Sequence, residues 1–295
     1  ALRHRDEGFE LLRLALTEPR FDADMLEQRR AQTMASLNQA SQRPGTVASR
    51  TLMATLFAGH PYAADPEGTR EGLATLTPEL VKKRAAQLLM RSGLTIAAVG
   101  DISEAELARQ LDHAFGSLPL GAPPALPPQW TPPTRPRTVV VERPVPQSTV
   151  LMALPGIARD DPEWYAALIM NHVLGGGGQQ SRLFNEVREK RGLAYGANSS
   201  LRTYRRAALL VMSTASANEK VAEAIRVIRA EMMRLRNEGV TEAELTDAKT
   251  YLTGALALSL DSSGSIAGLL HGMQIDGLSP DHLTKRGQLI AAVKL

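Results

Sequence analysis

Apolar positions recur every three to four residues over most of this chain, and that period predicts helices. In the front part, Phe9, Leu12 and Leu16 mark one face, and Leu26, Met34 and Leu37 mark another. Residues 46–57 and 78–90 repeat the pattern. Pro78, directly after Thr77, gives the second of these a start signal, because proline is tolerated in a first helical turn. Leu94-Thr-Ile-Ala-Ala-Val99 is a continuous apolar run and predicts one buried strand, closed by Gly100-Asp101 and followed by a helix to Phe115.

The back part changes period. Residues 138–142 and 148–154 predict two strands, and about 162–174 predicts a helix. Gly175 to Gly178 follow, then a second helix to Arg191, with Gly192 as its stop. Residues 193–201 and 208–214 predict strands, and 219–237 and 241–260 predict long helices. The glycine run does not predict a phosphate loop: it follows a helix rather than a strand, and no Gly-Lys-Ser/Thr comes after it.

Eight prolines between Pro119 and Pro136 separate these parts. Such a stretch suits neither helix interior nor central strand and predicts a semi-rigid extended spacer. Across it the chain repeats itself: at an offset of 219, Leu37 meets Leu256, Gly45 meets Gly264, Ala48 meets Ala267 and Pro61 meets Pro280. The expected organisation is residues 1–118 as the C-terminal part of a first domain, 119–137 as linker, and 138–295 as most of a second, homologous domain. On this reading the front domain lacks its first strands, which a segment upstream or a partner would supply, since a lone strand at 94–99 exposes unpaired backbone groups.

Composition narrows the chemistry. The chain has 295 residues, 34 basic and 31 acidic, for a formal charge of +3, which gives no electrostatic case for nucleic acid. No apolar run approaches the roughly 18 residues that cross a bilayer. There is no cysteine, so disulfides, thiolate metal sites and cysteine nucleophiles are excluded.

The segment Leu174-Gly-Gly-Gly-Gly-Gln-Gln-Ser-Arg-Leu-Phe-Asn-Glu-Val-Arg-Glu-Lys-Arg-Gly-Leu-Ala-Tyr-Gly196 carries the most specific signal. It resembles the signature of the non-zinc, "inactive" domain of insulinase/pitrilysin-type zinc metallopeptidases. Pro19-Arg-Phe21 followed by Glu27-Gln-Arg-Arg, the His60-Pro-Tyr62 turn and Val99-Gly-Asp101 resemble the second half of that family's zinc domain. The resemblance covers nearly the whole chain. It implies an α+β fold of two homologous domains, each a mostly antiparallel sheet packed on one side by helices.

Spacing supports a site. Arg188 falls in the last turn of a helix, Tyr195 lies seven residues on, and Gly192 lets the chain reverse between them. Guanidinium and phenol can then converge as hydrogen-bond donors to a peptide carbonyl. The resemblance implies that role for Arg188 and Tyr195, with Gly176 and Gly177 in the substrate-binding set. It also implies zinc in the assembled enzyme, a peptide substrate, a dimeric or heterodimeric clamshell, and a periplasmic setting.

The zinc motif is absent. The family binds zinc through His-x-x-Glu-His, which sets two imidazoles on one helix face. None of His4, His60, His113, His172, His271 and His282 begins that motif. This chain alone is therefore expected to be inactive and metal-free. Glu27 matches the distal zinc glutamate and is a ligand only if the motif lies upstream; by itself it suits a solvated carboxylate paired with Arg30 or Arg29. Leu168-x-x-Asn171-His172 takes the place of the zinc helix in the repeat with two of its three groups replaced, so His172 is expected to be structural.

Overall fold

The computed structural model describes residues 4–295. In chain order the helices are α1 (Arg5–Thr17), α2 (Ala23–Gln42), α3 (Pro44–Leu56), α4 (Arg70–Ala74), α5 (Pro78–Leu88) and α6 (Glu104–Phe115). There follow β1 (Gln147–Pro155), α7 (Trp164–Asn171), α8 (Arg182–Phe184), β2 (Ala194–Tyr204) and β3 (Ala207–Ala217). The chain continues with α9 (Val221–Glu238), α10 (Glu242–Leu258), α11 (Ser263–Ile275) and α12 (His282–Ala292). These elements form two compact units. The first holds residues up to Gln39, Pro66–Ala125 and Leu260–Ile275; the second holds Ala40–Asp65, Leu126–Ser259 and Asp276–Leu295.

The first unit is helical. Side chains start its helices: Thr77 Oγ1 accepts from Leu80 N at the start of α5, and Ser103 Oγ accepts from Glu106 N at the start of α6. α1 is tied to α6 by Arg5 to Glu106 (2.9 Å) and Glu10 to His113 (2.7 Å). Arg30 of α2 donates to the carbonyls of Leu73, Ala74 and Leu76, at and just beyond the end of α4.

The second unit is built on an antiparallel sheet of order β1-β3-β2. β3 is central, and Leu209, Leu210, Val211 and Met212 are all buried, so both of its faces are covered. Leu210 and Met212 face Leu183, Val187 and, from α9, Ala224, Val227, Ile228 and Leu235. Ala207, Leu209 and Val211 alternate to the other face and meet Phe57 and Trp130. The helices expected on one side are there, and the opposite face also takes the end of α3. A third cluster joins α7, α10 and α12 through Tyr165, Ile169, Leu245, Ala248 and Ile290.

Two expected strands do not form. Residues 94–99 and 138–142 make no ladder among the described residues. A run of apolar residues suits a strand, but a strand exists only beside a paired neighbour. In 94–99 the Ile96 carbonyl instead accepts from the Gln274 side chain of α11 (2.9 Å). Val139, Val140 and Val141 are left exposed.

The middle of the proline-rich stretch is held on the second unit. Trp130 N donates to Arg206 O (2.9 Å) and its indole N–H to Leu56 O (3.2 Å). His60 Nδ1 accepts from Tyr62 N, so Nε2 carries the proton and donates to Pro128 O (2.9 Å). The repeat reappears in the element bounds. α2 and α10 start at 23 and 242, α3 and α11 start at 44 and 263, and the latter pair end at 56 and 275; each difference is 219. α3 belongs to the second unit and α11 to the first.

No helix among the described residues is long and apolar enough to cross a membrane.

Candidate functional site

The site is assembled on the turn between α8 and β2. Ser181 starts α8, its Oγ accepting from Phe184 N and donating to Gly178 O (2.7 Å). Arg182, only 7 % exposed, reaches back to Glu244 with two contacts of 2.6 Å and to Gly239 O at 3.0 Å. Glu244 also completes a capping box with Thr241 at the start of α10. The Arg182 guanidinium holds the Glu244 carboxyl down at about 2, against the partial burial that would raise it. One ion pair thus fixes the α8 turn against the α9–α10 connection.

Beyond Phe184 the helix widens into a π turn, Asn185–Glu189, which carries Arg188. Glu186 anchors this turn: Lys190 first, then Arg191, hold its carboxyl below the ordinary range. The Arg188 guanidinium lies 5.0 Å from the centre of the Phe184 ring. Gly192 ends the helix at φ +56°, a conformation that side chains with a Cβ disfavour. Gly192 N returns to Arg188 O (2.8 Å) and Leu193 N to Val187 O (2.9 Å), so the chain doubles back beside Arg188.

Three side chains then hold three carbonyls of the returning segment. Lys220 Nζ donates to Gly192 O (3.3 Å), Ser216 Oγ to Leu193 O (2.6 Å), and Arg188 Nη1 to Tyr195 O (3.1 Å). The β2–β3 register shifts between Ala194 and Ala197, leaving Tyr195 at an irregularity of the strand. Its side chain is 85 % exposed. The Arg188 Cζ is 5.8 Å from the centre of the Tyr195 ring. Both residues line a cavity of about 280 Å³ with Gln147, Gly192, Leu193 and Lys220. The charged residues lining it are both cations, Arg188 and Lys220. Glu189 reaches Arg188 only at 3.7 Å.

The other sequence-predicted residues lie elsewhere. Gly176 and Gly177 are not on this cavity. A Cβ on Gly176 would stand 2.5 Å from Asn171 Nδ2, and one on Gly177 2.8 Å from His172 O, so these glycines let the chain fold back on the end of α7. Glu27 is exposed and pairs with Arg30 (3.1 Å). His172 is buried and stacked on Tyr251, 4.8 Å between ring centres, and burial pushes its pKa down.

Among the described residues no group of three or more His, Cys, Asp or Glu side chains is placed to hold a metal. These residues do not fit zinc. Lys220, Ser216 and Gln147 were not apparent from sequence. They lie 21 to 48 residues from Tyr195, and only the pairing of β1 and β2 with β3 brings them to it. Phe184 was visible within Ser-Arg-Leu-Phe, but not its contact with Arg188.

Comparison with known proteins places this geometry in context. Residues 75–252 match the family model described as the peptidase M16 inactive domain. An uncharacterized zinc protease of Mycobacterium tuberculosis is 30% identical over 247 residues, 82% of this chain and 56% of the relative. A Helicobacter pylori protein named as a non-peptidase homolog is 26% identical over 267 residues, covering 89% of this chain and 60% of the relative. The chain thus spans a little over half the length of these curated relatives. The crystal structure of a peptidase M16 inactive domain from Pseudomonas fluorescens is similar with a TM-score of 0.87 and 28% identity, over 100% of this chain and 70% of that one.

Proposed function

Because the chain belongs to the insulinase/pitrilysin-type family of zinc metallopeptidases, peptidase M16, matched through its inactive domain, we propose that it grips peptide for a zinc-dependent peptidase. Arg188 and Tyr195 donate hydrogen bonds to one carbonyl oxygen of an extended peptide. What supports this most is that both residues line one open cavity, with the Tyr195 side chain 85 % exposed. The guanidinium is held by Phe184 and the Tyr195 carbonyl, so little side-chain entropy remains to be lost on binding. Donors set in advance around a carbonyl also favour the oxyanion it becomes when attacked.

Relatives named as zinc proteases indicate zinc in this enzyme family. In our reading its ligands come from another part of the same protein or from a homologous subunit. Residues 1–118 then form the second part of one peptidase-like domain, 119–137 a linker, and 138–295 the substrate-gripping domain. Peptides and unfolded segments are the substrate class, since they can present an extended backbone.

A second reading keeps the peptide grip without hydrolysis, as a scaffold or peptide-binding subunit. It is favoured by the name of the Helicobacter pylori relative, a non-peptidase homolog. Peptide binding and hydrolysis by the intact protein, measured for Arg188→Ala and Tyr195→Phe, separate the readings. Loss of both signals supports the peptidase, and loss of binding in a protein with no turnover supports the scaffold. Unchanged binding in both variants removes the grip altogether.

A further inference from the structure

The peptide cavity contains a second cation that the proposed carbonyl grip does not use. Lys220 precedes α9 and is exposed, with its Nζ on Gly192 O at 3.3 Å. Gly192 is the turn residue between Arg188 and Tyr195, so the ammonium is held at the turn that joins them, on the wall of the same cavity. The remaining lining residues are uncharged: Gln147, Gly192, Leu193, Ala194, Tyr195 and the end of β3. Lys220 forms no ion pair among the described residues. Its bond to a neutral carbonyl is long for an ammonium donor and leaves two N–H groups for other acceptors. The nearest lining charge is the like-signed Arg188.

We propose that this cavity selects peptides carrying a carboxylate close to the gripped carbonyl, with Lys220 as the specificity-determining residue. The proposal rests on the peptide-gripping reading above. A carboxylate meeting the ammonium at about 4 Å gains on the order of 1 kcal/mol in fully solvated surroundings and more where the cavity excludes water, so a preference of about five-fold or greater is expected. The carboxylate can be an Asp or Glu side chain or the free C-terminus of the peptide. A basic side chain at the same place faces two cations and is disfavoured.

The test is titration calorimetry of the intact protein with unlabelled peptides of one parent sequence. One carries a single internal Glu and an amidated C-terminus. A second has Gln in its place and a free C-terminus. A third has Gln and an amidated C-terminus. The proposal expects the first, the second or both to bind about five-fold or more tightly than the third, and the tighter one names the source of the carboxylate. Lys220→Arg should keep the preference, Lys220→Met should remove it, and Lys220→Glu should reverse it against a Lys-containing peptide. Reversal with charge distinguishes recognition from mere support of the Gly192 turn. Equal affinity for all three peptides, or a preference that survives Lys220→Glu, overturns the proposal while leaving the grip intact. If the neutral peptide binds Arg188→Ala as well as the parent protein, the underlying reading itself fails.

Discussion

The Arg188 guanidinium donates to the main-chain carbonyl of Tyr195 at 3.1 Å, while its Cζ stays 5.8 Å from the centre of the Tyr195 ring. The arginine therefore holds the backbone that presents the tyrosine and lies beside the exposed ring. On the peptide-gripping reading, both side chains donate to an oxygen that arrives from outside.

On the peptidase reading, removing either side chain should weaken catalysis more than folding. On that reading, Arg188→Ala or Tyr195→Phe in the intact protein should lower kcat/KM for peptide hydrolysis by about 10²-fold. Metal content measured alongside should not change. A loss below about three-fold in both variants would exclude a carbonyl-binding role.

The glycines should separate by mechanism. A Cβ on Gly175 would meet Ser199 N at 2.4 Å, inside the packed core, whereas a Cβ on Gly192 meets nothing within 4 Å and suffers only from φ +56°. Gly192→Ala should destabilise by about 1 kcal/mol. Gly175→Ala should exceed that, because backbone must move. Urea unfolding of the two variants gives the order, and the reverse order would contradict this account of the turn.

Arg182 should matter for stability rather than for peptide. Arg182→Met leaves the Glu244 carboxylate without its buried partner, at a cost of about 3 kcal/mol, moderated because Glu244 keeps some contact with water. Thermal unfolding should reveal the loss. Peptide affinity, corrected for the folded fraction, should change much less than in Arg188→Ala.

Stability should fall with pH in two separate steps. Burial lowers the folded-state pKa of His172, and burial followed by Arg159 lowers that of His282. Tyr165 OH and Arg159 both donate to His282 Nε2, at 2.8 and 3.1 Å, which requires that nitrogen to be unprotonated. For a histidine lowered in the fold, the stabilisation is whole above the unfolded value of about 6.5 and is lost as pH falls below it. Glu244, lowered to about 2 by Arg182, stabilises fully above its unfolded value and loses that contribution as pH drops from about 4.5 toward 2. Urea midpoints between pH 8 and 5 should decline, and His172→Phe with His282→Asn should flatten that limb. A pH-independent midpoint over this range would rule out the histidine contribution.

The amino-acid order was sufficient for anything governed by neighbours along the chain. Thr77-Pro78 starts α5, Thr241 with Glu244 starts α10, and Gly192 stops the turn that carries Arg188. The Leu174–Gly196 run carried the resemblance to the family, and the 219-residue offset reappears in the bounds of α3 and α11. These features are local because capping, helical period and glycine turns depend on residues within a few positions of one another. Strand formation is different, since a ladder needs a partner that no local pattern specifies. The runs at 94–99 and 138–142 therefore read as strands and do not pair, while β3 acquires both of its neighbours. The same reason governs the site. Arg188 and Tyr195 sit seven residues apart and could be matched by eye, but Ser216 and Lys220 reach the Gly192 turn only because β2 folds against β3. That the cavity is lined by two cations and no acid was decided by the sheet register, not by any stretch of sequence.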